Sequence, residues 1–379
     1  MPPARRGNSE PPLRFRVTAT DGESAARSGL LEIASVEVET PVFMPVGTHG
    51  AVRAMTPGEL RATGSRIVLA NTYHLNLRPG PELVRKLGGL HAFMAWDGPI
   101  LTDSGGYQVF SLPRKEIHRD GVRFKSEVDG SQVELTPEGV MRIQQALGAD
   151  IVMPLDECTP YPATHDEASR GVGRTLQWLE RCVAAQSDSG QALFGIIQGS
   201  VYADLRRASA EGALQFDLPG YAIGGVSVGE GRDELVRVLE TTAPLLPADR
   251  PRYVMGIGLP EDLLEAIERG TDMFDCVIPT RYARSATLFT RRGRIRMGHR
   301  RYRRDQYPID SSCDCYACRT FTRAYVHHLY ASNEILGTIL GAIHNVRFYH
   351  SLMADARGAI TGGDYRAFKR AFLDDYSSK

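Results

Sequence analysis

Residues 136–158 read TPEGVMRIQQALGADIVMPLDEC, and this stretch sets the architecture. Thr136 is an N-cap residue, Pro137 suits the first helical position, and Gly148 supplies a stop. Between them Val140, Ile143 and Leu147 share one helical face. The apolar run 151–156 that follows lacks polar alternation, which suits a strand buried on both faces. It ends in a carboxylate, Asp156.

The same unit recurs outward from this point. Strand-length apolar runs also occupy 41–46, 67–71, 99–103, 193–198, 221–226, 253–257 and 273–278. Helical patterns at 204–214, 233–241 and 260–268 lie between the later runs, and Gly270 closes the last. Eight strands with intervening helices over about 250 residues predict an α/β chain folded as a (β/α)8 TIM barrel, with a doubly wound sheet as the competing arrangement. Two regions break the rhythm. Asp120-Gly121 and Asp129-Gly130, within 107–135, predict β-hairpin insertions after the third strand. The region 281–324 is basic and then Cys-rich. The expected organisation is a disordered tail at 1–12, a catalytic barrel over 13–280 completed by C-terminal helices to 379, and an Arg-rich, zinc-binding subdomain over 281–350.

Composition narrows the function classes. Of 379 residues, 42% are hydrophobic and 24% charged, which excludes a disordered chain, a collagen-like repeat and a coiled coil. Lys+Arg and Asp+Glu are both 45, so the chain is not a uniformly basic nucleic-acid binder. Yet residues 281–304 hold ten Arg and no acid, and without them 35 basic residues face 45 acidic ones. That polarity favours a phosphate backbone as partner, and the segment 290–297 reads as a hairpin presenting guanidinium groups. No apolar run approaches the roughly 18 residues of a membrane span. The opening MPPARRGNSEPP lacks the apolar core of a signal peptide, so a cytoplasmic protein is expected.

Active sites of such barrels sit at the C-terminal ends of the strands. There the runs end in Asp103-Ser-Gly-Gly, Asp156-Glu-Cys158, Gln198-Gly, Gly224-Gly225 and Met255-Gly-Ile-Gly, and the eighth contains Asp275. Carboxylates in apolar runs are costly unless paired, hydrogen-bonded or used. Each alone reads as a helix cap or a salt-bridged structural residue; three of them and a Gln at equivalent strand positions read as a site. Two carboxylates can run a double displacement at a glycosidic carbon, while a third and a Gln read the edge of a base. Composition leaves those roles unassigned. The flanking glycines fit close approach of backbone to a flat ligand.

Cys313, Cys315 and Cys318 place three of the six cysteines within six residues. That clustering suits metal ligation in a reducing compartment, and a closed four-ligand set would be a structural zinc site. The fourth ligand is open among His327, His328, His344 and His350; His344 shares a helical face with Leu336 and Leu340 and so faces inward. The segment 256–262, Gly-Ile-Gly-Leu-Pro-Glu-Asp, offers a helix N-terminus to phosphate, or simply satisfies the helix dipole with Glu261 and Asp262.

These motifs resemble the bacterial tRNA-guanine transglycosylase family, from about residue 15 to the C-terminus. The carriers are LTDSGGYQVFSL (101–112), DECTPYPAT (156–164), GIIQGS (195–200), YAIGGVSVGE (221–230), MGIGLPEDLLEA (255–266) and MFDCVIPTRYAR (273–284). The resemblance implies an irregular barrel with a zinc subdomain. It implies exchange of guanine at the anticodon wobble position of tRNA for a 7-deazaguanine base, a step of queuosine biosynthesis. It makes Asp275 the nucleophile on ribose C1′ and Asp103 the general acid/base. It assigns Asp156, Gln198 and the Gly225 backbone to the base edge, and Tyr107 and Met255 to its faces. Ser104, Gly105, Gly106, Cys158 and Val226 complete the base pocket. Gly256, Ile257, Gly258, Leu259, Pro260, Glu261 and Asp262 become an RNA-contacting loop, and Thr280, Arg281, Tyr282, Ala283 and Arg284 the segment reading bases near the wobble position. Cys313, Cys315, Cys318 and His344 match the ligands of one zinc per chain. Val228, where queuine-using members have a small residue, implies 7-aminomethyl-7-deazaguanine as substrate, and the family implies a homodimer. Two other readings remain. A retaining glycoside hydrolase leaves the Cys cluster and Arg stretch unexplained, and only two Trp are present to stack sugars. A non-catalytic tRNA-binding subunit is opposed by the presence of both Asp103 and Asp275.

Overall fold

The computed structural model describes residues 11–186 and 190–377; the expected tail, through residue 10, lies outside them. The chain opens with an antiparallel sheet of β1 (Leu13–Thr20), β2 (Arg27–Ile33) and β3 (Val36–Thr40). The sequence reading did not single it out. Barrel strands follow as β4 (Val42–Gly47), β5 (Val68–Asn71) and β6 (Ile100–Asp103). A three-stranded insertion then intervenes: β7 (Lys115–His118), β8 (Gly121–Lys125) and β9 (Gln132–Leu135), antiparallel throughout, where the Asp-Gly pairs predict hairpins. The barrel resumes with β10 (Ile151–Val152), β11 (Ala192–Ile197), β12 (Gly220–Ile223), β13 (Arg252–Val254) and β14 (Met273–Cys276). The eight parallel strands close in the order β10-β11-β12-β13-β14-β4-β5-β6. The barrel is therefore the fold, and the doubly wound alternative is excluded.

Helices form where caps and faces predict them. Pro137–Leu147 is capped by Thr136, whose hydroxyl accepts from Gly139 N, and is stopped by Gly148 at φ 75°. Ala203–Ala213, Arg232–Thr242 and Pro260–Glu268 lie within a residue of the expected spans. The expected strand 151–156 is shorter than its apolar run. After Val152 the side chain of Gln144 replaces the ladder: it accepts from Met153 N at 3.0 Å and donates to Met153 O at 2.8 Å. The chain is thereby freed to turn before Asp156.

Side-chain parity decides which residues face the barrel interior. Met44, Leu69, Leu101, Phe194, Ile196, Ala222, Tyr253 and Met273 pack inside, while Phe43, Val68, Ile100, Ile197, Val254 and Phe274 pack outward against helices. Leu13, Leu31, Ile33 and Val38 join the inner cluster, so the β1–β3 sheet plugs one mouth. An ion pair fastens the plug. Arg27, 5% exposed at its side chain, meets the fully buried Asp272 at 2.6 Å and also bonds Ala248 O and Arg250 O. Asp272 accepts in turn from Arg252 N.

After β14 the helix Ile278–Arg284 leads to the hairpin β15 (Thr287–Thr290) and β16 (Gly293–Arg296). The helices Tyr316–Thr320 and Arg323–Ala331 precede a 28-residue helix, Ile335–Gly362. That long helix carries His344 and runs on to the barrel, where Arg357 donates to Pro41 O at 2.9 Å. Among the described residues no helix is long and apolar enough to cross a membrane.

Removing one partner of a buried ion pair strands the other. Arg27→Ala is expected to lower the unfolding free energy by about 3–5 kcal/mol, read from chemical denaturation. A loss under about 1 kcal/mol, the range of surface pairs, would show that the plug is not held this way.

Candidate active site

Parity continues past the core to the rim. Because Leu69, Leu101, Ile196, Ala222 and Met273 point inward, so do the residues two further on: Asn71, Asp103, Gln198, Gly224 and Asp275. The sequence therefore builds a polar layer on top of an apolar one. Around the rim, Asp103 ends β6, Asp156 follows β10, Gln198 follows β11, Gly225 follows β12, Met255 follows β13 and Asp275 lies in β14. Only β4 and β5 separate Asp275 from Asp103.

Each carboxylate has a different set of donors. Asp103 accepts from Asn71 Nδ2 at 2.5 Å and from Thr72 N at 2.9 Å, one on each oxygen. Withdrawal from water pushes its carboxyl up to about 7; the charge of Asp275 adds to the rise, and these bonds offset only part of it. Asp275 accepts from Tyr253 Oη at 2.5 Å and Gly256 N at 2.8 Å, both on Oδ1. Burial raises it too, against those two bonds. Asp156 takes Gln198 Nε2 at 2.8 Å and Ser104 Oγ at 3.3 Å, and burial pushes it up to about 6. Among the described residues none of the three has a cationic partner. A proton can therefore reside on Asp103 near neutral pH, as a group that both gives and takes one must allow.

The pocket walls are backbone. Gly106 lies where a Cβ would sit 2.8 Å from Asp156 Oδ1, and Gly225, at φ 62°, where one would strike Gln198 Oε1. That Gln198 oxygen is buried with no hydrogen-bond partner among the described residues, an acceptor left for a ligand. Cys158 is buried beside Asp156, and burial pushes its thiol up to about 12, so it stays neutral. Val226 is buried, Met255 half-buried, and Tyr107 stands 56% exposed on the helix Gly106–Ser111. A ring so exposed beside a polar pocket suits a stacking surface.

The sequence reading missed three supports. Asn71 ends its run at the same inward position as Asp103 and was legible by parity. Tyr253 entered only as the first residue of the apolar run 253–257. Arg206, in the helix Ala203–Ala213, gave no signal, because nothing local marks a buried cation. It is fully buried and donates to Ser200 O, Ile197 O, Gly224 O and Gly225 O at 2.7–3.2 Å. One guanidinium thus ties the loop after β11 to the loop after β12.

The remaining candidates divide by exposure. In the segment 256–262 only Gly256 is exposed, while Ile257, Gly258 and Pro260 are buried and Leu259, Glu261 and Asp262 half-buried. Glu261 and Asp262 engage Arg232 at 3.2 and 2.7 Å, so the first helical turn is already neutralised. Thr280 and Ala283 are buried, Tyr282 half-buried, and Arg281 and Arg284 exposed. Of the ten Arg in 281–304, all but Arg291 are exposed, and none of those has a carboxylate partner among the described residues. Arg291 is spent on Asp355.

Cys313, Cys315, Cys318 and His344 converge with ligand atoms all within 4.8 Å of one another. Cys315 Sγ and Cys318 Sγ lie 3.7 and 3.2 Å from His344 Nδ1. A tetrahedral zinc with Zn–S of about 2.3 Å and Zn–N of about 2.0 Å needs S···N of roughly 3.5 Å, so the set fits such an ion. His344 Nε2 sits 2.6 Å from Phe289 O. That bond fixes the proton on Nε2 and turns the Nδ1 lone pair toward the thiols.

Comparison with known proteins agrees in extent. A family model described as queuine tRNA-ribosyltransferase matches residues 21–378. A queuine tRNA-ribosyltransferase of Thioalkalivibrio sulfidiphilus is 54% identical over 361 residues, 95% of this chain and 97% of the relative. Those of Pelotomaculum thermopropionicum and Desulforamulus reducens are 52% and 50% identical, over 96% and 97% of this chain and 99% and 100% of theirs.

Loading with Co²⁺ is expected to give the intense visible bands of tetrahedral thiolate coordination, and His344→Ala to weaken them. Featureless spectra in the parent protein would rule out the site.

Proposed function

Because this chain belongs to the queuine tRNA-ribosyltransferase family, whose members are pentosyltransferases, we propose that it exchanges guanine at the wobble position of tRNA for 7-aminomethyl-7-deazaguanine. The observation that carries the reading is the pair Asp103 and Asp275, both at inward positions of the same barrel rim with only β4 and β5 between their strands, where the charge of Asp275 adds to the rise of Asp103. Asp156 and the Gln198 amide stand on the next strands.

The wobble nucleotide leaves its stack to enter the rim pocket, at a cost of a few kcal/mol. Asp156, Gln198 and the Gly225 backbone take the hydrogen-bonding edge of the base, and Tyr107 and Met255 its faces. Ser104, Gly105 and Gly106 form the floor. Asp275 attacks ribose C1′ while Asp103 protonates the departing guanine. The covalent ribosyl ester holds the RNA until Asp103 takes a proton from the incoming base, which displaces Asp275. A double displacement retains configuration and needs no water as nucleophile. The exposed Arg281, Arg284 and the Arg of the β15–β16 hairpin meet the RNA backbone. Arg281 and Arg284 belong to the segment 280–284 that reads neighbouring bases, and Gly256 is the exposed residue of the second contact, 256–262. Cys313, Cys315, Cys318 and His344 would hold one structural zinc, which would tie the segment 313–318 to the long helix. Exposed Tyr316 and Tyr325, both packed on the half-buried Phe321 ring of the same subdomain, support a homodimer. The enzyme is placed in the cytoplasm, where unmodified tRNA resides.

Labelled guanine incorporation into a wobble-guanine tRNA tests the reading. Asp275→Ala is expected to lower exchange by at least about 10³-fold, as loss of a nucleophile does, with tRNA binding kept; preserved exchange overturns the nucleophile role.

Guanine release is expected to fall as pH rises through about 7, where Asp103 loses the proton it donates. A single-turnover rate flat from pH 6 to pH 9 would remove Asp103 from that role.

Val228 is half-buried, with its N–H held by Glu230 at 2.8 Å. Val228→Gly is expected to raise kcat/KM for bases with bulkier 7-substituents by about tenfold, the scale of one or two methylenes in a pocket. Unchanged discrimination would place selectivity elsewhere.

A further inference from the structure

The two donors on Asp275 are one-sided. Tyr253 Oη at 2.5 Å and Gly256 N at 2.8 Å both reach Oδ1, and Oδ2 takes no hydrogen bond among the described residues. Tyr253 is 1% exposed in the barrel interior, so its ring cannot swing away, and its strand β13 neighbours β14. Two donors from fixed backbone and a fixed ring lock the carboxylate about its Cβ–Cγ bond and leave one oxygen for chemistry. We infer that Oδ2 is the atom that bonds the ribose, and that Tyr253 is a positioning residue that keeps the resulting ester reversible. The inference rests on the double displacement proposed above.

The chemistry follows from what Oδ1 becomes. When Oδ2 bonds C1′, the C1′–N9 bond breaks, its electron pair leaves on guanine, and guanine takes the proton from Asp103. Oδ1 is then an ester carbonyl, a weaker acceptor than a carboxylate oxygen. In the second displacement the incoming base gives its N9 proton to Asp103 and bonds C1′, and the C1′–Oδ2 pair returns to Asp275. Oδ1 regains anionic character and its stronger bond to the phenol. Tyr253 therefore stabilises the free carboxylate more than the ester and makes Asp275 a better leaving group. A base-exchange enzyme needs that bias, because an ester too stable would trap the RNA.

The test compares the parent enzyme, Tyr253→Phe, and 3-fluorotyrosine introduced at position 253, whose more acidic hydroxyl is a stronger donor. Each is incubated with a wobble-guanine tRNA transcript at fixed free guanine, and the covalent protein–RNA adduct is measured on a denaturing gel. Tyr253→Phe is expected to raise the ratio of adduct to free enzyme by about tenfold, the scale separating a charge-assisted from a neutral hydrogen bond, and to slow its chase by added guanine. The fluorinated ring is expected to lower the ratio, and it preserves the fold because the ring and hydroxyl remain. Ratios that stay level, or fall in both variants, overturn the inference and reduce Tyr253 to a packing residue. No adduct in the parent enzyme overturns the double displacement itself.

Discussion

Three carboxylates withdrawn from water at one mouth of a barrel are the constraint around which the site is built. Neutralising them with Lys or Arg would be the ordinary solution, and it would hold their protons off at every physiological pH. The rim supplies dipoles instead: an Asn amide and a backbone N–H for Asp103, a phenol and a backbone N–H for Asp275, a Gln amide and a hydroxyl for Asp156. Dipoles satisfy the oxygens without cancelling the charge, so burial wins and all three stay raised. Proton transfer near neutral pH depends on that choice.

The cation that is present nearby is kept off the acids. Arg206 spends its donors on four carbonyls from two loops, and burial pulls its guanidinium down to about 10, still charged at neutral pH. Because the oxygen and hydrogen of a trans peptide point opposite ways, capturing the carbonyls of Gly224 and Gly225 turns the following N–H groups away from Arg206. The pocket wall is thus set from behind, by a residue that touches no substrate in the proposed reading.

The C-terminal region couples the Cys and His cluster to the barrel through shared packing. His344 and Asn345 are neighbours on the long helix. Asn345 bonds Phe289 N, Pro279 O and Thr287 O, while His344 bonds Phe289 O. Phe289, Cys315 and Cys318 belong to the same apolar cluster as the outward faces of β4 and β14. A metal ion bound there would brace the hairpin that carries exposed Arg292, Arg294 and Arg296.

The sequence by itself determined the alternation of strands and helices, because apolar runs without alternation and capped amphipathic helices are local signals; closure into a barrel rather than a doubly wound sheet was decided by the strand order. It also determined the inward ring of polar strand ends, because parity is a property of consecutive residues, and the Cys cluster, because three thiols in six residues need no long-range knowledge. The β1–β3 plug escaped, since its function is to cover a mouth that exists only once eight strands have closed. The early end of β10 escaped for the same reason: Gln144 replaces its ladder from another element. Arg206, and Tyr253 as more than core, were decided by tertiary structure alone. A buried cation or phenol is defined by which carbonyls and carboxylates surround it, and those come from strands far apart in the chain.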